Sequence, residues 1–304
     1  MNHGSDLLCI FAGDNLFMHF RSKNMWHAKT LFCAGFLLVS LSPGAAGQTR
    51  YMGEGYFETA MDKYVQGLYD EAIPLYRQFL EIAPYDFQGH YFLGRCYSFI
   101  GDRENARAYF EKSLRIIPDN YDAHYYLGVL LLHMGDSDGA LDHFRKAHEK
   151  IPTLGDAVVQ MGNVFRARKE YTKAMEYYRQ AMHIEPGLPD PYIAAGVMHR
   201  EQGDIPGALQ NLNKGLGKKP SCSEAFFEIG NTLKMKGDLD GATANYTKAL
   251  EIRPRYVEAQ NNLGETLLAK GDREGARTGF EKALKIAPWY GPAAENLKKM
   301  STDR

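Results

Sequence analysis

The sequence predicts an all-α chain built as a solenoid of antiparallel helix pairs. Three columns of residues in one register predict it. Prolines stand at Pro84, Pro118, Pro152, Pro186, Pro220, Pro254 and Pro288, each 34 positions after the last. Alanine keeps that period at Ala72, Ala106, Ala140, Ala174, Ala208, Ala242 and Ala276, and a large residue follows four positions later at Tyr76, Phe110, Phe144, Tyr178, Leu212, Tyr246 and Phe280. Glycine recurs at Gly94, Gly128, Gly162, Gly196, Gly230 and Gly264, with Ala60 in the first copy. A fixed period of this size marks an array of stacked supersecondary units.

Residues 121–154 show the physics of one unit. The stretch from Asp122 to Met134 is helical by composition and apolar spacing. Gly135 and Asp136 make a turn, with Asp136 placed to cap the next helix. The second helix runs from Ser137 to Ile151, and Pro152 ends the unit. A glycine inside a helix costs about 1 kcal/mol relative to alanine. The reason for bearing that cost in unit after unit is close approach: Gly128 and Ala140 let the two backbones touch. The apolar faces from Tyr125 to Leu132 and from Leu141 to Ala147 exceed what a lone pair can bury, so the units must stack.

Taken in order, residues 1–24 form an N-terminal extension that contains Asp6 and Asp14. Translation is expected to begin after it, at Met25. Residues 25–47 read as a signal peptide: Lys29 precedes an uncharged apolar core at 30–41, Ser42, Pro43 and Gly44 break any helix, and Ala45, Ala46 and Gly47 supply small residues for cleavage. The core is shorter than the about 20 residues that span a bilayer. An uncleaved membrane anchor is the alternative reading. Cys33 lies inside the core rather than after it, which argues against lipid attachment. Residues 48–52 are a short linker. Residues 53–290 hold seven units, beginning at Gly53, Phe87, Tyr121, Gly155, Pro189, Ser223 and Val257. Residues 291–304 form a capping helix and tail, with Pro292 at a first helical position and Asn296, Lys298 and Lys299 adding the polarity that shields an open stack end.

Composition and motifs exclude several functions. Lys and Arg number 36 against 37 Asp and Glu, a net charge of -1 that does not suit a general nucleic-acid binder. Four cysteines are too few for a disulfide scaffold. Cys96 lies within a first helix and is expected in the core; Cys222, in an inter-unit turn, is expected at the surface. They stand nearly four units apart, too far for a bridge. Zinc-protease, nucleophile-elbow, phosphate-loop and dinucleotide motifs are absent. No catalytic residue, cofactor or metal site is therefore expected. His90 and His124 share a phase, but equivalent positions in stacked pairs lie about 8–10 Å apart, too far to share one zinc ion. The second position of the units is acidic at Glu54, Asp122, Asp156, Asp190, Glu224 and Glu258, with Gln88 the exception, and a first helical turn there stabilises negative charge.

These columns resemble the tetratricopeptide repeat family, over about four fifths of the chain. The resemblance implies a right-handed superhelix whose first helices line a concave groove through their fifth, ninth and twelfth positions. The amino-terminal groove is then aromatic, with Phe57, Tyr64, Tyr91 and Tyr125 beside Arg95. The later groove is polar and basic, with Asn163, Arg166, Arg200, Asn231 and Lys234. No unit carries lysine at the fifth position, so the family's lysine–asparagine clamp for a terminal carboxylate is not supported. Asn163, Asn231, Asn261 and Asn262 are not expected to form the continuous asparagine ladder of the glycosyltransferase solenoids.

The expected function is a non-catalytic scaffold or adaptor that binds a protein or peptide segment in the groove. Aromatic residues beside arginine are what binding hot spots use. With the signal segment, the expected location is outside the cytoplasm, in the periplasm or anchored to face it, within an envelope complex. Membrane contact is expected only through an uncleaved N-terminal segment. An accessory subunit of a protein- or glycan-modifying or secretion complex is the alternative.

Overall fold

The computed structural model describes residues 43–302. The expected extension and the apolar core of the expected signal lie outside them. Among the described residues every regular element is an α-helix, fifteen in all. The chain divides into two compact units between Pro152 and Thr153.

The first unit contains α1 (Pro43–Val65), α2 (Tyr69–Ile82), α3 (Phe87–Phe99), α4 (Arg103–Ile116), α5 (Tyr121–His133) and α6 (Ser137–Lys150). They pack as three hairpins, α1 with α2, α3 with α4 and α5 with α6, and each hairpin leans on the next. The second unit contains α7 (Gly155–Ala167), α8 (Tyr171–Ile184), α9 (Asp190–Glu201), α10 (Ile205–Lys218), α11 (Ser223–Lys236), α12 (Leu239–Ile252), α13 (Val257–Ala269), α14 (Arg273–Ile286) and α15 (Gly291–Thr302). Four hairpins stack there in sequence, and α15 covers the last. Ala293 and Met300 of α15 bury against Ala276, Phe280 and Ala283 of α14.

The repeat columns explain the packing. Tyr76, Phe110, Phe144, Tyr178, Leu212, Tyr246 and Phe280 have no exposed surface. From the second hairpin on, each faces a first-helix glycine. A Cβ at Gly128 would lie 2.8 Å from the Phe144 ring, and one at Gly162 would lie 2.5 Å from Tyr178. Glycine thus makes room for the ring as well as for the opposing backbone. His90 and His124 also have structural work: each donates through Nε2 to the carbonyl of the preceding column proline, Pro84 or Pro118, at 2.9 Å.

The turns inside the hairpins repeat too. Asp102, Asp136, Asp204, Asp238 and Asp272 cap the second helices through their carboxylates. The residue before each is a glycine with positive φ, a conformation that costs other residues strain. The α7–α8 turn departs from both rules. Lys169 takes φ 61 there, and Glu170 makes no side-chain cap.

Four expectations need correction. Pro43 and Gly44 begin α1 rather than breaking it, because proline is tolerated in a first helical turn, where no intrahelical acceptor awaits its missing N–H. The expected linker at 48–52 is therefore helical, and Glu54 stands within α1 rather than in a first turn. Cys222 is buried, not surface-exposed, because the α10–α11 turn folds onto its own hairpins: the thiol packs with Ile193, Leu212, Ala225 and Ile229. Cys96 is buried, and both thiols are free.

Candidate functional site

In the first unit the aromatic candidates converge on one arginine. Arg95, on α3, is 2% exposed. Its guanidinium carbon lies 5.2 Å from the ring centre of Tyr64 on α1, 5.7 Å from Tyr91 and Phe99 on α3, and 4.1 Å from Tyr126 on α5. Nη1 donates to the Tyr91 hydroxyl at 3.2 Å. Nε and Nη2 of Arg95 and the hydroxyl of Tyr64 are buried without partners. Among the described residues no carboxylate pairs with this guanidinium. Burial pushes the Tyr64 and Tyr91 phenols well above their ordinary range, so both stay protonated.

Phe57 and Tyr125 stand apart from this cage. Phe57 packs edge-on against Tyr76, Phe79 and Phe92, 5.0 to 6.0 Å between ring centres, and so serves hairpin stacking. Tyr125 is partly exposed, with its ring 5.1 Å from Tyr126 and 5.9 Å from Phe144.

In the second unit the polar candidates join into bonded groups that cross from helix to helix. Asn163 accepts from Tyr178 at 2.8 Å and donates to Gln160 at 3.1 Å. Arg166 on α7 pairs with Glu201 on α9. Arg200 on α9 pairs with Glu228 on α11 at 2.8 Å, and Lys234 on α11 with Glu265 on α13 at 2.5 Å. Asn231 accepts from Tyr246 at 2.7 Å and from Asn262 of the next first helix at 2.9 Å. Asn296 of α15 donates to Asn261 and to Glu265, both at 3.1 Å. Burial pushes Glu265 up, but hydrogen bonds from Lys234, Asn261 and Asn296 hold it below its ordinary value.

One expectation changes here. The later face is polar, but its three basic residues each meet an acid, so it is charge-compensated rather than basic. The asparagines are linked from α11 through α13 to α15, although Asn163 on α7 stays outside that chain. Except for Glu265, at a ninth position, the partners were missed because they lie off the fifth, ninth and twelfth positions. Tyr126, Glu228 and Asn262 all occupy the sixth position of their units, and each meets an inner residue of the preceding unit. Phe99 and Glu201 share the thirteenth position. Those two phases were the available signal.

The acidic column holds in the first turns of α5, α7, α9, α11 and α13. Burial, then the charge of Glu185, raises Asp156 to about 6. Burial, then the charges of Asp156 and Glu224, raises Asp190 to about 7 against the pull of Lys219. Glu224 is paired with Arg253 at 2.7 Å. Elsewhere His124 and His143 form a pair, Nδ1 to Nδ1 at 2.8 Å, and burial with His124 as neighbour drives His143 down to about 4. Among the described residues no group of three or more metal-ligating side chains forms, and no helix is long and apolar enough to cross a membrane.

Comparisons with known proteins agree with this architecture. Four family profiles match: one described as TPR repeat over residues 230–271, and three described as tetratricopeptide repeat over 109–142, over 87–120 with 257–288, and over 157–192. No curated protein matches the chain. Among solved structures, a tetratricopeptide repeat protein from Parabacteroides merdae is similar with TM-score 0.64 at 16% identity, covering 83% of this chain and 99% of that one. Yeast Tom70 is similar with TM-score 0.70 at 16% identity, covering 84% of this chain and 54% of Tom70. PilW, a type IV pilus biogenesis factor, is similar with TM-score 0.51 at 22% identity, covering 69% of this chain and 98% of PilW. At these identities the likeness is one of fold.

Proposed function

Because the chain belongs to the tetratricopeptide repeat family, we propose that it is a non-catalytic interaction scaffold that binds a protein or peptide segment along its first helices. The observation that carries this reading is that, within each unit, side chains of successive first helices join one another. In the second unit, polar side chains are tied helix to helix through Arg200–Glu228, Asn231–Asn262 and Asn261–Asn296. In the first unit, aromatic rings from α1, α3 and α5 meet around one arginine. The first unit thus offers rings and the second oriented amides, the two kinds of group that recognise an extended chain.

Affinity capture with wild type and with the double variant Tyr125→Ala plus Lys234→Ala tests it. Both side chains are partly exposed and lie on first helices, and circular dichroism verifies that helix content survives. Loss of specific partners supports the reading. Undiminished capture moves binding to the second helices or the ends.

The scaffold is further proposed to act in the cell envelope, exported by the segment 25–47. The support is the basic flank, the apolar core and the small residues up to Gly47. N-terminal mass analysis of protein from the host is expected to find a start at Gln48. A peptide from residues 1–24 would overturn the start at Met25, and an intact 25–47 segment would favour a membrane anchor.

A further inference from the structure

Among the described residues the arginine cage of the first unit offers Arg95 one hydrogen-bond acceptor, the Tyr91 hydroxyl. It holds three buried hydrogen-bond donors without partners: Nε and Nη2 of Arg95 and the hydroxyl of Tyr64. Buried donors are almost always satisfied in native proteins, and an exception calls for a missing group. The cage also holds a positive charge that no described carboxylate neutralises. Its four rings attract the cation through their faces, but only the Tyr91 hydroxyl among them accepts a guanidinium N–H. The second unit sharpens the point. There, each of the three basic candidates already meets a glutamate of the chain itself.

We propose that the Arg95 cage receives an acidic side chain of the bound partner, a glutamate or aspartate carboxylate that accepts from Arg95 as Glu201, Glu228 and Glu265 accept from the basic residues of the second unit. The proposal rests on reading the first-helix face as the binding face. A carboxylate has the lone pairs to accept two guanidinium N–H bonds at once and a phenol besides. The choice of a side chain over a chain terminus follows from depth. Arg95 is only 2% exposed, so only a slender group reaches it. A glutamate carries its carboxylate on two methylenes, whereas a terminus brings its last residue's side chain with it. Phe99 and Tyr126 are the partly exposed rings of the cage, so a ligand enters on their side.

The test follows the Arg95 Nε–H resonance of the isotope-labelled full chain, assigned through bonds from its own backbone so that no variant has to fold. Three probes are titrated: acetyl-Leu-Glu-Leu-amide, acetyl-Leu-Gln-Leu-amide and acetyl-Leu-Gln-Leu with a free terminal carboxylate. The glutamate amide is expected to shift the resonance saturably, with the glutamine amide at least tenfold weaker. Equal shifts from the two amides, or no shift from any probe, would overturn the proposal and leave the cage as internal packing. A free-acid probe that matches or exceeds the glutamate amide would overturn the choice of a side chain. Failure here is separable from failure of the scaffold reading: capture lost in Tyr125→Ala plus Lys234→Ala with no shift at Arg95 keeps the scaffold and rejects the cage.

Discussion

The two units share a scaffold and differ on the face it presents. In both, a first-helix glycine meets a second-helix ring and aspartates cap the second helices. In the first unit the inner residues are rings around an arginine whose charge no described carboxylate balances. In the second, each inner cation has a glutamate and each inner asparagine a bonded neighbour. The contrast teaches that a repeat register dictates which residues are buried against one another between paired helices, while the residues facing away from that seam are free to diverge.

The largest test attacks the shared part. Gly128→Val and Gly162→Val put a side chain into Phe144 and Tyr178 respectively. Each is expected to lower stability by about 3 kcal/mol, measured by chemical denaturation. A mild loss in one unit alone would break the claim of a common scaffold.

The next test uses pH and addresses the second unit alone. Asp190 is raised to about 7, first by burial. Between its ordinary range near 4 and about 7, the folded chain therefore holds a proton that the unfolded chain has released. That contribution is fully present below the ordinary value and is lost as pH rises through about 7. The denaturation midpoint is expected to fall from pH 5 to pH 8 in wild type and to fall less in Asp190→Asn. Glu265 acts in a separate window: its pKa is depressed, so its contribution is lost only as pH drops below the usual carboxylate range. An unchanged pH slope in Asp190→Asn would place the effect elsewhere.

A repair comes third. Lys169→Gly with Glu170→Asp restores at the α7–α8 turn the pair used at the other capped turns. It is expected to raise stability by about 1–2 kcal/mol, from relief of the left-handed backbone and a new cap. No gain would mean that the lysine and glutamate make contacts worth as much as the turn.

The smallest effect separates the two faces most cleanly. Tyr178→Phe leaves the Asn163 carbonyl oxygen without the 2.8 Å bond it accepts, and is expected to cost about 1 kcal/mol. Tyr76 occupies the same column, but its hydroxyl reaches only the Met61 sulfur at 3.9 Å. Tyr76→Phe is expected to be close to neutral. Equal losses would erase the distinction between a polar and an apolar inner face.

The acids that pair Arg166, Arg200 and Lys234 show how far the candidate site was legible. The three cations share the twelfth position and stood out in a column reading. Their partners Glu201, Glu228 and Glu265 sit at the thirteenth, sixth and ninth positions, so no column gathers them. Tyr126 escaped for the same reason, although its ring is the closest to Arg95.

The sequence by itself determined the helix pairs, their seven registers, their turns and the residues sealed between them. Those features depend on local propensity and on a period of 34 residues, both written along the chain. Only the tertiary structure decided which inner charges are neutralised, which asparagines link, and that Arg95 stands among rings with no described carboxylate beside it. Ion pairs and hydrogen bonds form between side chains about 28 to 35 positions apart, on different helices. Whether two such groups meet is set by the ångström-scale offset between stacked hairpins, which a repeat period does not specify.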